Sequence, residues 1–220
     1  MIVVHHLNDS RSQRVLWLLE ELGLEYEVKR YQRDPQTMLA PAELRAVHPL
    51  GKSPVVEEHG IKVAETGAIL EWLLDTHGEG RLRPARGTEE ARRFTYWLHY
   101  AEGSAMTPLL LRLVFSELAK RAPFLVRPVA KGISKAMNTR MIQPQLDAHI
   151  AYWEAELGRS EWFAGDQFTA ADIMMSFPLE AAAARAGAGS RPRIKAFLER
   201  IHARPAYQRA LERGGPYAYA

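Results

Sequence analysis

Asn8-Asp9-Ser10-Arg11-Ser12-Gln13-Arg14 carries two hydroxyls two residues apart, just ahead of Val15, Leu18, Leu19 and Leu22, which fall at helical spacing. Hydroxyls at the start of a helix either cap it or offer a hydrogen bond to an anion such as a thiolate, beside the positive end of the helix dipole. The loop alone leaves both uses open. Glu65-Thr66-Gly67 is a second place of this kind, ahead of Ile69, Leu70, Leu73 and Leu74, where a helix start either caps itself or receives a ligand carboxylate. Gly51-Lys52-Ser53-Pro54 adds a cation and a proline that cannot donate to a ladder, so an edge or turn with free backbone groups is expected there. Thr169-Ala170-Ala171-Asp172 before Ile173 fits a capping box, and Asp172 is read as a folding residue rather than a catalytic carboxylate.

Other chemistries are excluded residue by residue. The chain has no cysteine, so it supplies no thiol nucleophile, no CxxC pair and no thiolate metal ligand, and any sulfur chemistry must use a borrowed thiol. Gly51-Lys52-Ser53 is not a phosphate loop, because Ala46 stands where the first glycine belongs and Pro54 prevents the following helix. Gly187-Ala188-Gly189 lacks the third glycine of a dinucleotide fingerprint. The 8 histidines include no HxxxH pair, and no metal is expected. The sequon Asn8-Asp9-Ser10 has no consequence in a cytoplasmic setting.

The elements that must position these residues divide in two. Ile2–His6 is a short β-branched run, followed by the helical Val15–Leu22 pattern, a stop at Gly23 and an alternating strand at 24–28. Pro54–Glu57 and Ile61–Val63 flank Glu58-His59-Gly60 as a hairpin does, and a helix over Ile69–Leu74 follows. The order β-α-β-α-β-β-α is thioredoxin-like and occupies residues 1–78. Residues 79–88, rich in Gly, Pro and charge, read as a linker, and 89–220 read as an all-α bundle with runs near Phe94–Ala119, Leu146–Leu157, Ile173–Ala186 and Ile194–Ile201. Pro108, Pro144 and Pro178 fall within these patterns, so kinks or helix ends are expected near them.

Composition agrees with a globular chain: 220 residues, 47% hydrophobic, 25% charged and a net charge of +3. The N-terminus lacks a basic region followed by a long apolar core, and no apolar run reaches a membrane span, which leads to an expectation of cytoplasmic location.

Taken together, Ser10-Arg11-Ser12-Gln13-Arg14-Val15-Leu16-Trp17, His48-Pro49-Leu50-Gly51-Lys52-Ser53-Pro54-Val55, Glu65-Thr66-Gly67 and Phe168-Thr169-Ala170-Ala171-Asp172-Ile173 resemble the cytosolic glutathione transferases over essentially the whole chain. Tyr100-Ala101-Glu102-Gly103-Ser104 is similar to a stretch in serine-type bacterial and fungal members. The resemblance implies glutathione as cosubstrate and a homodimer. It assigns thiol activation to Ser10, with Ser12 as the alternative hydroxyl. It assigns glutathione contacts to Lys52 (glycyl carboxylate), Ser53 with a cis Pro54 (cysteinyl backbone), Glu65 and Thr66 (γ-glutamyl end), and Glu102 and Ser104. Trp97, Tyr100, Met106 and Leu110 are candidates for the electrophile pocket. The expected reaction is attack of the glutathione thiolate on a small hydrophobic electrophile, with glutathione-dependent peroxide or disulfide reduction as the alternative. A third reading is a non-catalytic binding module: residues 112–140 hold seven Lys and Arg against one acid, Glu117, a net of +6 that suits either a solvated face or an anionic lipid or RNA surface.

Overall fold

The computed structural model describes residues 1–37 and 39–219. Strand β1 (Ile2–Leu7) lies inside the sheet, which explains why its residues are almost all buried and why it lacks the alternation of a half-solvated strand. It pairs in parallel with β2 (Tyr26–Tyr31) and antiparallel with β3 (Val55–Glu58), and β4 (Ile61–Ala64) closes the order β2-β1-β3-β4. Between β1 and β2 runs α1 (Ser12–Leu22), ended by Gly23 at φ 67, whose left-handed turn lets Leu24 N–H reach the Leu19 carbonyl at 3.0 Å. Helix α2 (Glu43–Val47) is one short turn, and α3 (Thr66–His77) follows β4. The β3–β4 turn holds both His59 (φ 49) and Gly60 (φ 80) at positive φ, the twist that a tight hairpin demands. This is a thioredoxin-like sheet with α1 and α3 packed against it.

The rest of the chain is helical: α4 (Glu89–Tyr100), α5 (Met106–Arg121), α6 (Arg127–Met137), α7 (Gln143–Glu156), α8 (Ala170–Ala186), α9 (Pro192–His202) and α10 (Pro205–Gly214). The single run expected over Phe94–Ala119 is instead two helices separated by a π-helical turn at Ala101–Ala105. A second π turn, Asn138–Ile142, precedes α7. Each turn contains the carbonyl four residues before a proline, that of Ser104 for Pro108 and of Arg140 for Pro144. A proline has no N–H for that carbonyl and its ring crowds it, so a wider turn accommodates both facts. Pro178, by contrast, lies inside α8. Helices α6 and α10 were not delimited by periodicity.

Trp97 packs at the centre of the helical core against Tyr100 and Phe163, with ring centroids 5.0 and 4.6 Å away. Helix α10 returns to α1: Trp17 and Tyr207 meet edge to face at 5.1 Å, and Arg204 makes a two-point bond to Glu21 at 2.6 and 2.9 Å. Asp172 is fully buried at the start of α8, where Thr169 caps the helix and the reciprocal box is complete. No helix among the described residues is long and apolar enough to cross a membrane.

Candidate active site

The loop after β1 brings the two candidate hydroxyls together. Ser10 Oγ and Ser12 Oγ lie 2.7 Å apart, and Ser10 Oγ accepts the Ser12 backbone N–H at 3.2 Å. Helix α1 begins at Ser12, so the short polar side chains meet its unpaired N-terminal N–H groups. Ser12 Oγ is also 2.8 Å from His6 Nδ1 and 3.3 Å from the Leu7 carbonyl, and Ser12 is completely buried. His6 has a further bond to the Gly214 backbone. A neutral imidazole has one N–H; with that N–H on Gly214, Nδ1 accepts the Ser12 proton. Ser12 is then committed inward and accepts the Ser10 proton at 2.7 Å, so Ser10 serves a ligand by turning that proton away from Ser12.

His6 stays neutral because burial, reinforced by Arg30, pushes its pKa down to about 4; Asp9 and the Gly214 bond oppose this less strongly. The sign follows from linkage: a histidine held below its unfolded value stabilises the fold above pH 6.5, and that stability is lost as pH falls through about 4. The stability gap between the parent and His6→Gln is therefore expected to narrow by about 3 kcal/mol between pH 7 and pH 4. Denaturant melts of both proteins at each pH check this, and a gap that stays constant would show that His6 does not titrate in this way.

A second set of residues gathers around Arg11 of this loop. A cleft of about 160 Å³ is lined by Arg11, Lys52, Ser53, Pro54, Glu65, Thr66 and Glu102, with His48, Leu50 and Ala64. The Ser53–Pro54 bond is cis. The Ser53 hydroxyl is tied to β1, donating to the His5 carbonyl at 2.7 Å and accepting the Leu7 N–H at 3.1 Å. Glu65 immediately precedes α3 and holds φ 70, ψ 122, a conformation that a non-glycine residue adopts at a cost of about 1–3 kcal/mol. Such strain persists where the surroundings enforce it, and here it directs Glu65 and the first N–H groups of α3 into the cleft.

Glu102 reaches the cleft from the π turn at Ala101–Ala105. Arg14, buried on the inner face of α1, donates to its carboxylate, to the Met174 carbonyl at 2.8 Å and to Thr66 Oγ1 at 3.4 Å; Arg11 bonds the other Glu102 oxygen at 2.9 Å. Partial burial would raise the Glu102 pKa, but Arg14 and Arg11 outweigh it and hold the carboxyl below its ordinary range. Both guanidinium groups lie over the Phe177 ring, 5.7 and 5.4 Å from its centroid. This network was not foreseen, although Arg14 sits four residues before Leu18 on the apolar stripe of α1, where a charge demands a partner.

Ser10 and Ser12, on either side of Arg11 in the chain, are buried and do not themselves line the cleft, and the remaining candidates lie elsewhere. Ser104 is exposed on the π turn and does not line the cleft. Trp97 and Tyr100 belong to the aromatic core, where the Tyr100 hydroxyl accepts from Trp153 at 3.0 Å and bonds His149; Met106 is buried at the start of α5, and Leu110 is exposed on its surface. None of the four lines the cleft. A wider depression of about 510 Å³, lined by Leu82, Arg83, Pro84, Ala164 and Phe168 among others, lies against the linker and contains none of the candidates. No group of three or more metal-ligating side chains occurs among the described residues.

Residues 1–75 match the family described as glutathione S-transferase, N-terminal domain, and residues 130–213 match glutathione S-transferase, C-terminal domain. The chain is 34% identical to glutathione S-transferase 3 of Schizosaccharomyces pombe over 97% of its own length and 88% of that protein. It is 35% identical to glutathione S-transferase 1 of Saccharomyces cerevisiae, covering 97% of the chain and 95% of the relative. The crystal structure of a glutathione S-transferase from Actinobacillus pleuropneumoniae superposes with a TM-score of 0.83 at 35% identity, covering 100% of this chain and 95% of the other.

Proposed function

Since the chain belongs to the glutathione S-transferase family, we propose that it binds glutathione in the cleft between β4, α3 and the first loop, lowers the thiol pKa with Ser10, and delivers the thiolate to a small hydrophobic electrophile. The observation that supports this reading is the convergence on one cleft of Arg11, a strained Glu65 at the head of α3 and the cationic Lys52, with the buried Ser10–Ser12 hydroxyl pair flanking Arg11 in the chain. In this reading Ser10 donates its hydroxyl proton to the sulfur and Ser12, held by His6, fixes it in place. The Ser53 backbone pairs with the cysteinyl unit beside Pro54. Glu65, Thr66 and the α3 N-terminus hold the γ-glutamyl end, and Glu102, kept ionised by two arginines, faces the ligand's ammonium group. Lys52 meets the glycyl carboxylate.

No histidine base is required, because serine here stabilises an anion rather than attacking as in a hydrolase. Without cysteine, reduction of a peroxide or a disulfide would consume successive glutathione molecules, so conjugation is the leading reaction. The cytoplasm, where thiols are kept reduced, is the fitting location. A second copy of the chain is the proposed partner, supported by the exposed row Leu110, Val114 and Leu118 on one face of α5.

Retention on immobilised glutathione, followed by turnover against aryl halides, peroxides and mixed disulfides, tests the function. Aryl-halide conjugation is the expected dominant activity; dominant peroxide or disulfide turnover would replace it with the reductive reading, and no retention would remove glutathione altogether. For the contacts, Thr66→Ala or Glu65→Ala is expected to weaken glutathione binding about tenfold to a hundredfold, the size of one charge-assisted hydrogen bond, and Lys52→Ala less, because an exposed ion pair is screened. Glu65→Gly is expected to weaken binding equally without loss of stability, since glycine relieves the positive φ. Calorimetry showing unchanged affinity in all of them would place the ligand elsewhere.

A further inference from the structure

The segment that follows α10 runs back along the loop that carries Ser10. Gly214, the last residue of α10, is buried where a Cβ would stand 2.7 Å from Gln13 Oε1 and 3.0 Å from Leu16 Cδ1, so the helix end presses against the first turns of α1. Gly215 then takes φ 88, which glycine adopts without a steric penalty, and the chain turns back over the loop. Three anchors hold residues 217–219 there. The Ala218 N–H donates to Asp9 Oδ1 at 2.8 Å, and the Tyr217 hydroxyl donates to Glu180 Oε2 of α8 at 2.7 Å. The Tyr219 ring meets Phe177 of α8 at 5.4 Å, with the Arg185 guanidinium 4.8 Å from its own centroid. Phe177 is the same ring over which Arg11 and Arg14 lie.

Glu180 is only 2% exposed, so its carboxylate must be satisfied by protein groups. Its Oε1 accepts the Tyr207 hydroxyl at 2.7 Å and bonds His202 Nε2 at 3.1 Å, and Tyr217 completes the set at Oε2. Releasing Tyr217 would leave a buried carboxylate oxygen unpaired, which makes this the firm end of the segment. At the other end, Asp9 directly precedes Ser10 and holds φ 47, a left-handed conformation that Asp tolerates better than most side chains but that its surroundings must maintain. Its two oxygens accept the Ala218 N–H and, at 3.3 Å, the Asn8 side-chain amide. We propose that residues 216–219 form a strap that fixes the backbone of Ser10 against the bound sulfur, with Asp9 and Tyr217 as positioning residues for the thiol-activating hydroxyl. The strap holds the chain just ahead of Ser10, as the Ser12–His6 bond holds it just after, so that only the hydroxyl itself turns between Ser12 and the sulfur. The inference rests on the assignment of Ser10 as the residue that activates the thiol.

Titration of the thiolate absorbance in the glutathione complex, together with steady-state kinetics and thermal melts, tests the strap on the full chain. Tyr217→Ala/Tyr219→Ala releases it at the α8 end. Asp9→Gly removes the carboxylate while keeping the positive φ accessible, and Asp9→Asn retains an acceptor oxygen for the Ala218 N–H. The tyrosine double variant and Asp9→Gly are each expected to raise the thiolate midpoint by about half a unit, roughly threefold in the ionisation constant, and to lower kcat about threefold to tenfold with KM for glutathione within about twofold of the parent. Asp9→Asn is expected to match the parent. On a Ser10→Ala background, releasing the strap is expected to add no further rise, because no hydroxyl remains to be positioned. A lowered melting temperature with the midpoint in place would make the strap purely structural and overturn the proposal, and so would a rise that persists in full on the Ser10→Ala background. If the tyrosine double variant does not fold, the contrast between Asp9→Gly and Asp9→Asn decides alone. A Ser10→Ala midpoint equal to that of the parent is a separate failure: it overturns the assignment of Ser10, and the strap's role with it.

Discussion

Ser10→Ala is expected to cut turnover about tenfold to a hundredfold while leaving glutathione affinity nearly intact, because the hydroxyl acts on the sulfur and not on the groups that hold the peptide. A thiol with an unperturbed pKa of about 8.5 is roughly 3% ionised at pH 7; a pKa two units lower gives roughly 75% and corresponds to about 2.7 kcal/mol of selective stabilisation. One hydrogen bond to a charged group contributes about 1.5–3 kcal/mol, and a helix N-terminus adds about 0.5–1 kcal/mol. Losing the first and keeping the second leaves some thiolate, which is why the expected loss is not total. Ser12→Ala is expected to do less. Its hydroxyl is committed to His6 Nδ1 at 2.8 Å, and its removal loosens Ser10 without removing the donor. Steady-state kinetics with both variants check the order of the two effects.

Asp172→Ala is expected to destabilise the fold by about 2–4 kcal/mol with little change in glutathione affinity. The carboxylate accepts the Phe163 N–H at 2.8 Å, the Thr169 N–H at 2.8 Å and the Thr169 hydroxyl at 3.1 Å, all within a fully buried corner at the start of α8. Alanine removes the helix cap and also leaves two backbone donors buried without partners. Burial pushes the Asp172 carboxyl up to about 6 although three donors pull it down, so it is ionised at neutral pH. A raised carboxyl pKa means that the native state binds more protons than the unfolded chain between about pH 4 and pH 6, so this group favours folding as pH falls through that window, opposite in sign to His6. Thermal and denaturant melts check the loss. A variant as stable as the parent but a hundredfold less active would make Asp172 a catalytic residue instead.

The parts of the fold and site that were legible in the sequence depend on local rules. The β-branched run at Ile2, the 3.6-residue spacing of Val15 to Leu22 and the glycine at 23 each state an element directly, and together they gave the sheet and its first helix. The capping box at Thr169 and Asp172 could be read because its partners are three residues apart. The Arg14–Glu102 pair spans 88 residues, and no local pattern announces it. The π turn that aims Glu102 was equally hidden, since helical periodicity does not distinguish an inserted residue from a register drift. The electrophile candidates Trp97 and Tyr100 are large aromatic side chains, and no local pattern separates an aromatic that lines a pocket from one that packs a core; Tyr100 is two residues from Glu102, which turns its direction by roughly 200°, and both rings pack in the core while Glu102 faces the cleft.

The central claim is that Ser10 makes the thiolate. The most direct measurement is the ultraviolet absorbance of the glutathione thiolate in the enzyme complex, titrated with pH for the parent, Ser10→Ala and Ser12→Ala. The expected midpoint in the parent is about two units below that of free glutathione, with a rise of about one unit or more in Ser10→Ala and a smaller one in Ser12→Ala. A curve that moves with Ser12→Ala and not with Ser10→Ala, or with neither, would contradict it.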